Sequence, residues 1–257
     1  MHREFEAKYH RLEDGHWWFK SRRDYFLRLV EQLALPRDAA ILDMGCASGP
    51  LLDALNRRGY TRTRGIDISE EAIRNCSRRG VENVQVMDAA QPSFPADSFD
   101  LIVASDVLEH IAEDRSALAN WHRILKPGGL LAVFVPAFAF LWTGHDAMNR
   151  HFRRYTKREL TRKLADTRYE LQFSSYWNFA LFAPAAAIRL LSRLAPKSRR
   201  ETKDQLDQPP ELVNAALSAL LRCENTALLA KLRFPVGVSV MALARKPAAP
   251  ADASSRA

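Results

Sequence analysis

A glycine-containing turn between a predicted strand and a predicted helix is the strongest chemical signal in this sequence. It lies in the segment Ile41-Leu42-Asp43-Met44-Gly45-Cys46-Ala47-Ser48-Gly49. Gly45 and Gly49 allow close backbone approach, and the free N–H groups at the start of a helix favour an anionic or electron-rich ligand group. The turn alone is weak evidence, but it predicts that a ligand meets the backbone here.

Two acidic side chains follow this turn at the ends of the next two predicted strands. Asp67 stands about 20 residues downstream, where an acid can accept hydrogen bonds from both hydroxyls of a ribose. Asp88 ends the third strand in Val86-Met87-Asp88-Ala89 and is placed to accept from an exocyclic adenine amine. The carboxyl ends of parallel strands share one edge of a sheet, so the turn and the two acids together predict a nucleoside-bearing cofactor.

The order of the motifs indicates a family. The fourth predicted strand continues into Ser105-Asp106-Val107-Leu108-Glu109-His110, and a later turn reads Leu125-Lys126-Pro127-Gly128-Gly129. The sequence closely resembles the class I S-adenosylmethionine-dependent methyltransferases, whose motifs run as a glycine-rich loop, a ribose acid, an adenine acid, a post-strand loop and a Leu-Lys-Pro-Gly-Gly turn. The resemblance spans Ile41 to Pro136 and continues more loosely through both flanks.

This resemblance implies S-adenosylmethionine as the cofactor and S-adenosylhomocysteine as its product. It implies that Asp67 binds the ribose, that Asp88 binds the adenine and that the segment after the fourth strand lies near the sulfonium. The sequence departs from the family at Ala47, which stands where the middle of three glycines is usual. Since a methyl group is a small intrusion, we expect a slightly shifted cofactor and an intact site.

A looser resemblance concerns the two flanks. The step Thr143-Gly144-His145-Asp146, followed by a helix from Lys157, is similar to the O-methyltransferases of ubiquinone biosynthesis. That similarity implies that Arg22 pairs with the methionine carboxylate. The expected cofactor-binding residues are Arg22, Asp43, Gly45, Cys46, Ala47, Gly49, Asp67, Ile68, Asp88, Ala89, Ser105 and Leu108. Residues 16–19 would cover the pocket as a lid, although such aromatic clusters more often belong to the core.

The loop from Trp142 to Tyr155 carries the expected acceptor-side residues. It leaves the carboxyl edge of the sheet, where His145 or His151 can act as a general base toward a hydroxyl because imidazole has a pKa near 6.5. His110 is a weaker catalytic candidate. The expected substrate-binding residues are Trp18, Arg150, Arg153, Arg154 and Tyr155, because arginines can hold a carboxylate or phosphate.

Two other interpretations of this loop stay open. It can be a solvated basic turn in which one histidine caps a helix. Metal ligation by His145, Asp146 and His151 is allowed by residue type, but the spacing matches no metal-binding motif, so we expect no metal.

Two further alternatives concern the whole chain: an S-adenosylmethionine-binding protein without catalytic turnover, and, less favoured, an NAD-dependent oxidoreductase. The turn Gly-Cys-Ala-Ser-Gly departs from the dinucleotide fingerprint G-x-G-x-x-G.

The alternation of strand and helix patterns from Ala39 to Pro136 is typical of a parallel sheet with helices on both faces. We expect an α/β fold: a seven-stranded, mostly parallel, doubly wound Rossmann-like sheet with an antiparallel last strand and a helical insertion before it. The expected divisions are an N-terminal helical lid (1–38), the cofactor-binding core (39–177), the helical insertion (178–234), the final strand (235–245) and a disordered tail (246–257).

Composition limits the partners. Lysine and arginine number 38 against 30 acidic residues, and this net charge of +8 favours an anionic partner. Nucleic acid is not expected, because the basic residues are scattered and the loop after the fourth strand lacks an Asn/Asp-Pro-Pro-aromatic motif. Three widely spaced cysteines support neither a disulfide framework nor a zinc knuckle. The charged N-terminus argues against a signal peptide, so we expect a cytoplasmic protein.

The apolar stretch 178–195 lies in an insertion of about 55 residues, and insertions of this length are commonly functional. With Arg189 and Arg193, this stretch can form a helix in a membrane interface, cap a hydrophobic substrate or form a dimer face. The sequence as a whole predicts an enzyme that transfers a methyl group to an oxygen, in preference to a nitrogen, of a small-molecule or lipid-linked acceptor. The sequence leaves two further questions undecided: whether the protein contacts a membrane surface and whether it forms a homodimer.

Overall fold

One seven-stranded sheet forms the centre of the molecule. The computed structural model describes residues 3–194 and 207–248. The strands are β1 (Ala40–Met44), β2 (Arg62–Asp67), β3 (Val84–Val86), β4 (Phe99–Ser105), β5 (Leu125–Pro136), β6 (Glu170–Trp177) and β7 (Ser239–Arg245). Their spatial order is 3-2-1-4-5-7-6, and β7 runs antiparallel to both of its neighbours. This arrangement confirms the predicted sheet.

Helices cover both faces of the sheet. They are α1 (Arg3–Leu12), α2 (Trp17–Gln32), α3 (Pro50–Asn56), α4 (Glu70–Arg78), α5 (Asp114–Ile124), α6 (Gly144–Met148), α7 (Lys157–Asp166), α8 (Phe182–Leu194) and α9 (Glu211–Leu229). Alternate residues of β1 enter different cores: Leu42 packs with α5 and α7, and Ile41 packs with α2, α3 and α9. Both faces of β1 are therefore buried, as is typical of a doubly wound sheet.

The Lys126-Pro127-Gly128-Gly129 element lies at the start of β5. Helix α5 ends at Ile124 directly before it, and β5 begins at Leu125. The β4–β5 register shifts between Phe99 and Leu101. A Cβ atom on Gly129 would lie 3.0 Å from the Phe99 carbonyl oxygen and 2.8 Å from that of Lys126. Glycine at position 129 therefore allows the backbone of β5 to pass close to the carbonyl groups of Phe99 and Lys126 at the irregular start of this strand.

Helix α9 of the insertion packs against the N-terminal region. Its Asn225 donates to the Ser21 carbonyl at 2.8 Å and accepts from the Trp177 indole at 2.8 Å, so it joins α2 to β6. Residues 195–206 of the expected helical insertion lie outside the described residues. Of the expected disordered tail, only 246–248 are described, and Lys246 bonds Asp97 there. None of the described helices combines the length and apolarity needed to cross a membrane.

Candidate active site

A cavity of about 730 Å³ opens at the carboxyl edge of the parallel strands. One end is lined by the turn after β1 and by the ends of β2 and β3, including Gly45, Asp67 and Asp88. The other end is lined by the loop after β5 and by α8. The N-terminal helices close the cavity with Tyr9, His10 and residues 16–19. This volume lies in the range of small-molecule and cofactor sites.

The turn after β1 offers open backbone to the cavity. Gly45 has φ +74°, and a Cβ atom built on it would lie only 2.6 Å from Cγ2 of Val107. The N–H groups of Gly45 and Cys46 both donate to the carbonyl oxygen of Ile66, at 2.8 and 2.9 Å, which fixes the turn on the neighbouring strand. A glycine is therefore required here on grounds of both dihedral angle and space.

Asp67 joins the turn after β1 to the start of α4. One carboxylate oxygen accepts from the N–H of Ala47 at 3.0 Å, and the other accepts from the N–H of Ser69 at 2.9 Å. Burial raises the pKa of the Asp67 carboxyl, although these two N–H groups oppose the shift. A carboxylate oxygen has more than one acceptor site, so Asp67 can still accept hydrogen bonds from a ligand in the cavity.

The adenine side of the expected site is more open. Asp88 accepts from the N–H of Ala90 at 2.8 Å and lines the cavity together with Met87, Ala89 and Ile68. The Ile68 side chain is 74% exposed. An exposed apolar side chain beside a carboxylate can pack against a flat ring while the acid binds the polar edge of that ring.

The loop between α1 and α2 fastens the N-terminal helix to the glycine-containing turn. Glu13 is buried, and one of its carboxylate oxygens accepts from both the hydroxyl and the N–H of Ser48. The other oxygen lies 2.8 Å from Nδ1 of His10, which itself lines the cavity. Arg79, the residue that follows α4, donates to the Ser48 carbonyl at 3.0 Å. Three elements of the fold thus converge on Ser48.

Arg22 lies in an aromatic cage behind the cavity wall. Its guanidinium carbon is 4.0 Å from the ring centroid of Phe134 and 4.2 Å from that of Trp177. One terminal nitrogen bonds Asp106 and Ser239, which both line the cavity, while Nε and Nη1 are buried without a hydrogen-bond partner among the described residues. Burial lowers the pKa of this guanidinium. Arg22 therefore retains two donors for an incoming group.

Four other expected cofactor residues do not line the cavity. Asp43 is buried beneath the turn, where burial and the charges of Asp67 and Glu13 raise its pKa to about 7. The Cys46 side chain packs on the far side of the turn with Leu52, Cys76 and Val81. Gly49 begins α3 with φ +80°, and Leu108 belongs to the core. These residues shape the turn and its support, whereas Gly45, Ala47, Ser105 and the expected β2 and β3 residues line the cavity.

The acceptor end is organised around Asp146, which is fully buried. Its carboxylate accepts from Nδ1 of His151 at 2.9 Å and from Arg154 at 2.8 Å and 3.0 Å, and it caps α6 by accepting from the Thr143 N–H. Although burial acts in the opposite direction, the hydrogen bonds from His151 and Arg154 lower the pKa of the Asp146 carboxyl. An ionised Asp146 therefore fixes the His151 ring and leaves its Nε2 atom for a cavity ligand.

Glu109 and His110 complete this end. The rings of His110 and His151 meet edge to face at 4.5 Å between centroids. Burial and the charge of His151 lower the pKa of His110 to about 4, so this ring is neutral at neutral pH. Glu109 is completely buried, and burial followed by the charge of Asp106 raises the pKa of its carboxyl well above the usual range. His145 lines the same end and lies 2.9 Å from the Asn149 amide.

The structure does not bring the whole basic loop to the cavity. Arg153 bonds the Ala112 carbonyl and Asp114, and the buried Tyr155 hydroxyl donates to the same Asp114 at 2.9 Å. Arg150 is exposed and does not line the cavity. Arg154 and Trp18 do line it. Arg153 and Tyr155 thus fix the loop on α5 through Asp114 and do not line the cavity.

Sequence reasoning missed three residues of the site. Glu13 lies in a charged N-terminal segment without any motif, so no signal pointed to its contact with Ser48. Asp146 was considered only as a metal ligand, although Thr143 three residues before it is the signature of a capping box. Glu109 was passed over beside His110, because an acid next to a histidine in sequence does not reveal that it is buried.

Comparison with known protein families shows which proteins this chain is similar to. Residues 42–133 match the family model described as a methyltransferase domain. This segment of the chain is similar to a methyltransferase domain, in agreement with the predicted resemblance to the class I S-adenosylmethionine-dependent methyltransferases. Aklanonic acid methyltransferase DauC from a Streptomyces strain is 37% identical over 121 residues, which are 43% of this chain and 54% of that relative. A ubiquinone biosynthesis O-methyltransferase from Neisseria meningitidis is 28% identical over 49% of this chain and 58% of its own length.

The chain spans about half the length of the curated relatives it matches. Solved structures extend the likeness of fold beyond the methyltransferase domain. The cyclase SpnF has a TM-score of 0.58 at 21% identity, covering 90% of this chain and 82% of its own. A methyltransferase from Thermotoga maritima has a TM-score of 0.58 at 16% identity, covering 95% and 97%. These neighbours bear out the seven-stranded fold, and one of them is a cyclase.

S-adenosylmethionine is the cofactor of this class of methyltransferase domain, and the cavity fits it. A Cβ atom on Gly45 would lie 2.6 Å from Cγ2 of Val107, so only glycine allows this turn and Val107 to line the cavity together. Asp67 and Asp88 line the cavity on successive strands and can accept from ribose hydroxyls and from the adenine amine. Two donors of Arg22 have no partner among the described residues and are of a type that suits a carboxylate, but Arg22 itself does not line the cavity. The residues present therefore match the polar groups of the cofactor.

Proposed function

We propose that this chain transfers the methyl group of S-adenosylmethionine to an oxygen, in preference to a nitrogen, of a small-molecule or lipid-linked acceptor. The observation that carries the proposal is the Asp146–His151 pair. It places an oriented imidazole in the cavity that also contains Gly45, Asp67 and Asp88. A hydroxyl must lose its proton when it is methylated, and a neutral imidazole is the usual group that accepts such a proton.

The cofactor half of the reaction requires binding and orientation. When bound, S-adenosylmethionine supplies an electrophilic methyl group, so the protein needs little covalent chemistry of its own. Asp67 would hold the ribose, Asp88 the adenine amine and Arg22 the methionine carboxylate. Glu13 and Ser48 close the N-terminal helices over this end, which excludes water and fixes the direction in which an acceptor can approach.

The acceptor half depends on the tautomer of His151. The ionised Asp146 accepts at 2.9 Å from Nδ1, which selects the tautomer with its proton on Nδ1 and its lone pair on Nε2. Nε2 would accept the hydroxyl proton while the oxygen attacks the methyl group. Asp146 would stabilise the imidazolium that results. His110 lies edge to face with His151 and, being neutral, adds no repelling charge.

The body of the acceptor would pack on an apolar wall from α8. Leu181, Pro184, Ala185 and Ile188 line the cavity beside Arg189. The same helix exposes Leu190 and Leu191 outward, at 52% and 66% of their surfaces. An apolar wall next to a polar histidine end suits an acceptor with a reactive hydroxyl head and an apolar body. Contact of residues 178–195 with a membrane surface and formation of a homodimer stay predictions.

The relatives support a small-molecule acceptor, because the names of two of them specify aklanonic acid and ubiquinone biosynthesis.

One observation favours a different class of function. The neighbour SpnF, which shares the fold at a TM-score of 0.58, is a cyclase. A chain of this fold that binds the cofactor without methyl transfer is thus the second candidate. Such a protein would bind S-adenosylhomocysteine normally and leave every acceptor unmodified.

Incubation with methyl-labelled S-adenosylmethionine and pools of hydroxylated aromatics, extracted lipids and amines tests the proposal. We expect label in a hydroxylated product as a methyl ether, and we expect no label with Asp67→Ala. Label only in amines would contradict the oxygen assignment. Binding of S-adenosylhomocysteine without transfer to any pool would favour the second candidate.

A further inference from the structure

We propose that Glu109, His110 and His151 form a binding site for a divalent cation of the zinc class at the acceptor end of the cavity. The binding claim stands on the geometry of these three side chains, and only its catalytic use rests on the proposed function. It departs from the sequence-based expectation of no metal. That expectation considered a different triplet, in which Asp146 is already bonded by Arg154, His151 and Thr143.

The three side chains provide a matched set of donors. Each offers one ligand atom, and these three atoms all lie within 4.8 Å of one another. Ligands that bind one ion at about 2.0 to 2.2 Å lie roughly 3 to 4 Å apart, so small rotations of the side chains close the set. One carboxylate with two imidazoles is a donor set of catalytic zinc sites, in which a fourth position stays open to water or substrate.

The burial of Glu109 is an independent indication of a ligand. Its side chain is 0% exposed and lines the cavity, and neither carboxylate oxygen has a hydrogen-bond partner among the described residues. A buried polar group without a partner is costly, and native proteins rarely leave both oxygens of a carboxyl group unsatisfied. A cation between this carboxylate and the two histidines would satisfy both the charge and the lone pairs.

The surroundings of the histidines have the form that metal ligands require. His151 donates a hydrogen bond through Nδ1–H to the fully buried Asp146, which is itself held by Arg154, so Nε2 is directed away from this pair. His110 uses one ring nitrogen for the Asn149 backbone and has the other available. Ligating histidines characteristically donate their second N–H to a carboxylate or backbone carbonyl, which fixes the ring and its tautomer.

The open position explains what the cation would do. An acceptor hydroxyl that coordinates there would have a lowered pKa and release its proton to cavity water. Its oxygen lone pair would form the new bond to the methyl carbon as the sulfur–carbon bond breaks, and the electrons of that bond would return to sulfur. The products are a methyl ether, S-adenosylhomocysteine and one proton. With the cation bound, His151 is a ligand, and coordination replaces its role as the base.

Zinc chloride titrated into chelator-treated, dialysed protein by calorimetry tests the site without any acceptor. We expect one zinc ion per chain and a rise in melting temperature on zinc addition. Glu109→Gln, His110→Ala and His151→Ala should each weaken binding by about 100-fold or more. His122→Ala removes a histidine of α5 that does not line the cavity and serves as the matched control, with unchanged zinc affinity expected.

The isosteric Glu109→Gln variant decides the matter if a histidine variant fails to fold, because it keeps the shape of the side chain and buries no charge. Undiminished zinc binding in folded Glu109→Gln, or no zinc binding by the parent chain, would overturn the site. Methyl transfer that survives complete chelation would overturn the catalytic role of the cation. Zinc binding at this site with no methyl transfer to any acceptor would instead contradict the proposed function and leave the site standing.

Discussion

One carboxylate oxygen of Glu13 accepts from both the hydroxyl and the N–H of Ser48, 35 residues further along the chain. The pair joins the loop after α1 to the turn that forms the floor of the cofactor end. Because α1 and α2 supply Tyr9, His10 and the aromatic residues that line the cavity, this contact joins the N-terminal helices to the proposed cofactor site.

Glu13→Gln should weaken binding of S-adenosylhomocysteine by about tenfold. The amide can keep only part of the interaction with Ser48, and a hydrogen bond to a charged group is worth about 1.5 to 3 kcal/mol. Calorimetric titration measures the loss, and proteolysis of the N-terminal helix should become faster. Glu31→Gln is a matched control, since Glu31 makes an exposed ion pair with Arg58. Equal affinity in Glu13→Gln and the parent chain would show that the lid is not held by this contact.

Gly45→Ala should abolish cofactor binding and lower the melting temperature. The new methyl group would sit 2.6 Å from Cγ2 of Val107, in addition to the strain of φ +74°. Gly59→Ala separates the two effects, because Gly59 has φ +84° with nothing within 4 Å of a Cβ atom. That control should lose only about 1 to 2 kcal/mol of stability and bind S-adenosylhomocysteine normally. Equal effects of the two substitutions would rule out the steric explanation.

The contribution of Asp43 to the stability of the cofactor-free chain should decline as the pH rises from about 4 to about 7. Burial, with help from Asp67 and Glu13, raises the pKa of Asp43 to about 7, whereas an aspartic acid in an unfolded chain has a pKa near 3.9. Within this window the folded chain retains a proton that the unfolded chain has released, so the free energy of unfolding decreases with rising pH. The stabilisation from Asp43 is complete below the unfolded pKa near 3.9, and it is lost as the pH rises through the folded pKa of about 7.

Urea unfolding across that pH window, compared between the parent chain and Asp43→Asn, measures this contribution. The variant should lack the decline because its side chain does not titrate. Asp97→Asn, which neutralises an exposed carboxylate, controls for the change in net charge. A parallel pH dependence in the parent chain and Asp43→Asn would mean that Asp43 titrates normally.

Asp146→Asn should reduce kcat more than it raises the KM for the acceptor. The amide can present its NH₂ group to His151 and thereby select the wrong tautomer, while the shape of the cavity is unchanged. A purely structural role would instead lower stability without moving the pH profile of kcat. The pH profile is therefore the decisive readout, and a profile identical to that of the parent chain would exclude a positioning role for Asp146.

The strands and the order of the motifs were predictable because local patterns determine them. The predicted sheet was observed and α7 begins at Lys157 as expected, since the alternation of strand and helix patterns is visible in the sequence. The packing of α9 was not predictable. It depends on Asn225 bonding Ser21, 204 residues away, and no local pattern encodes a contact of that range.

The residues of the site were likewise predictable where a local pattern marks them, and were not predictable where a distant contact determines their position. Asp67 and Asp88 were recognisable because each ends a strand at a set spacing from the turn. The roles of Arg153 and Tyr155 were not, because they depend on Asp114, whose carboxylate lies in α5 and draws them away from the cavity. The burial of Glu109 likewise results from packing between the β4 loop and the loop after β5, which bonds the Glu109 carbonyl through Phe152 at 2.8 Å.

The most direct test of the central claim is calorimetric titration of S-adenosylhomocysteine into the parent chain and into Asp67→Ala. We expect saturable binding of one ligand per parent chain, with affinity reduced at least 100-fold in Asp67→Ala, because the variant loses both the ribose acceptor and the tie between Ala47 and Ser69. Far-ultraviolet circular dichroism of the variant checks that it is folded. Absence of binding to the parent chain, or unchanged affinity in folded Asp67→Ala, would contradict the account.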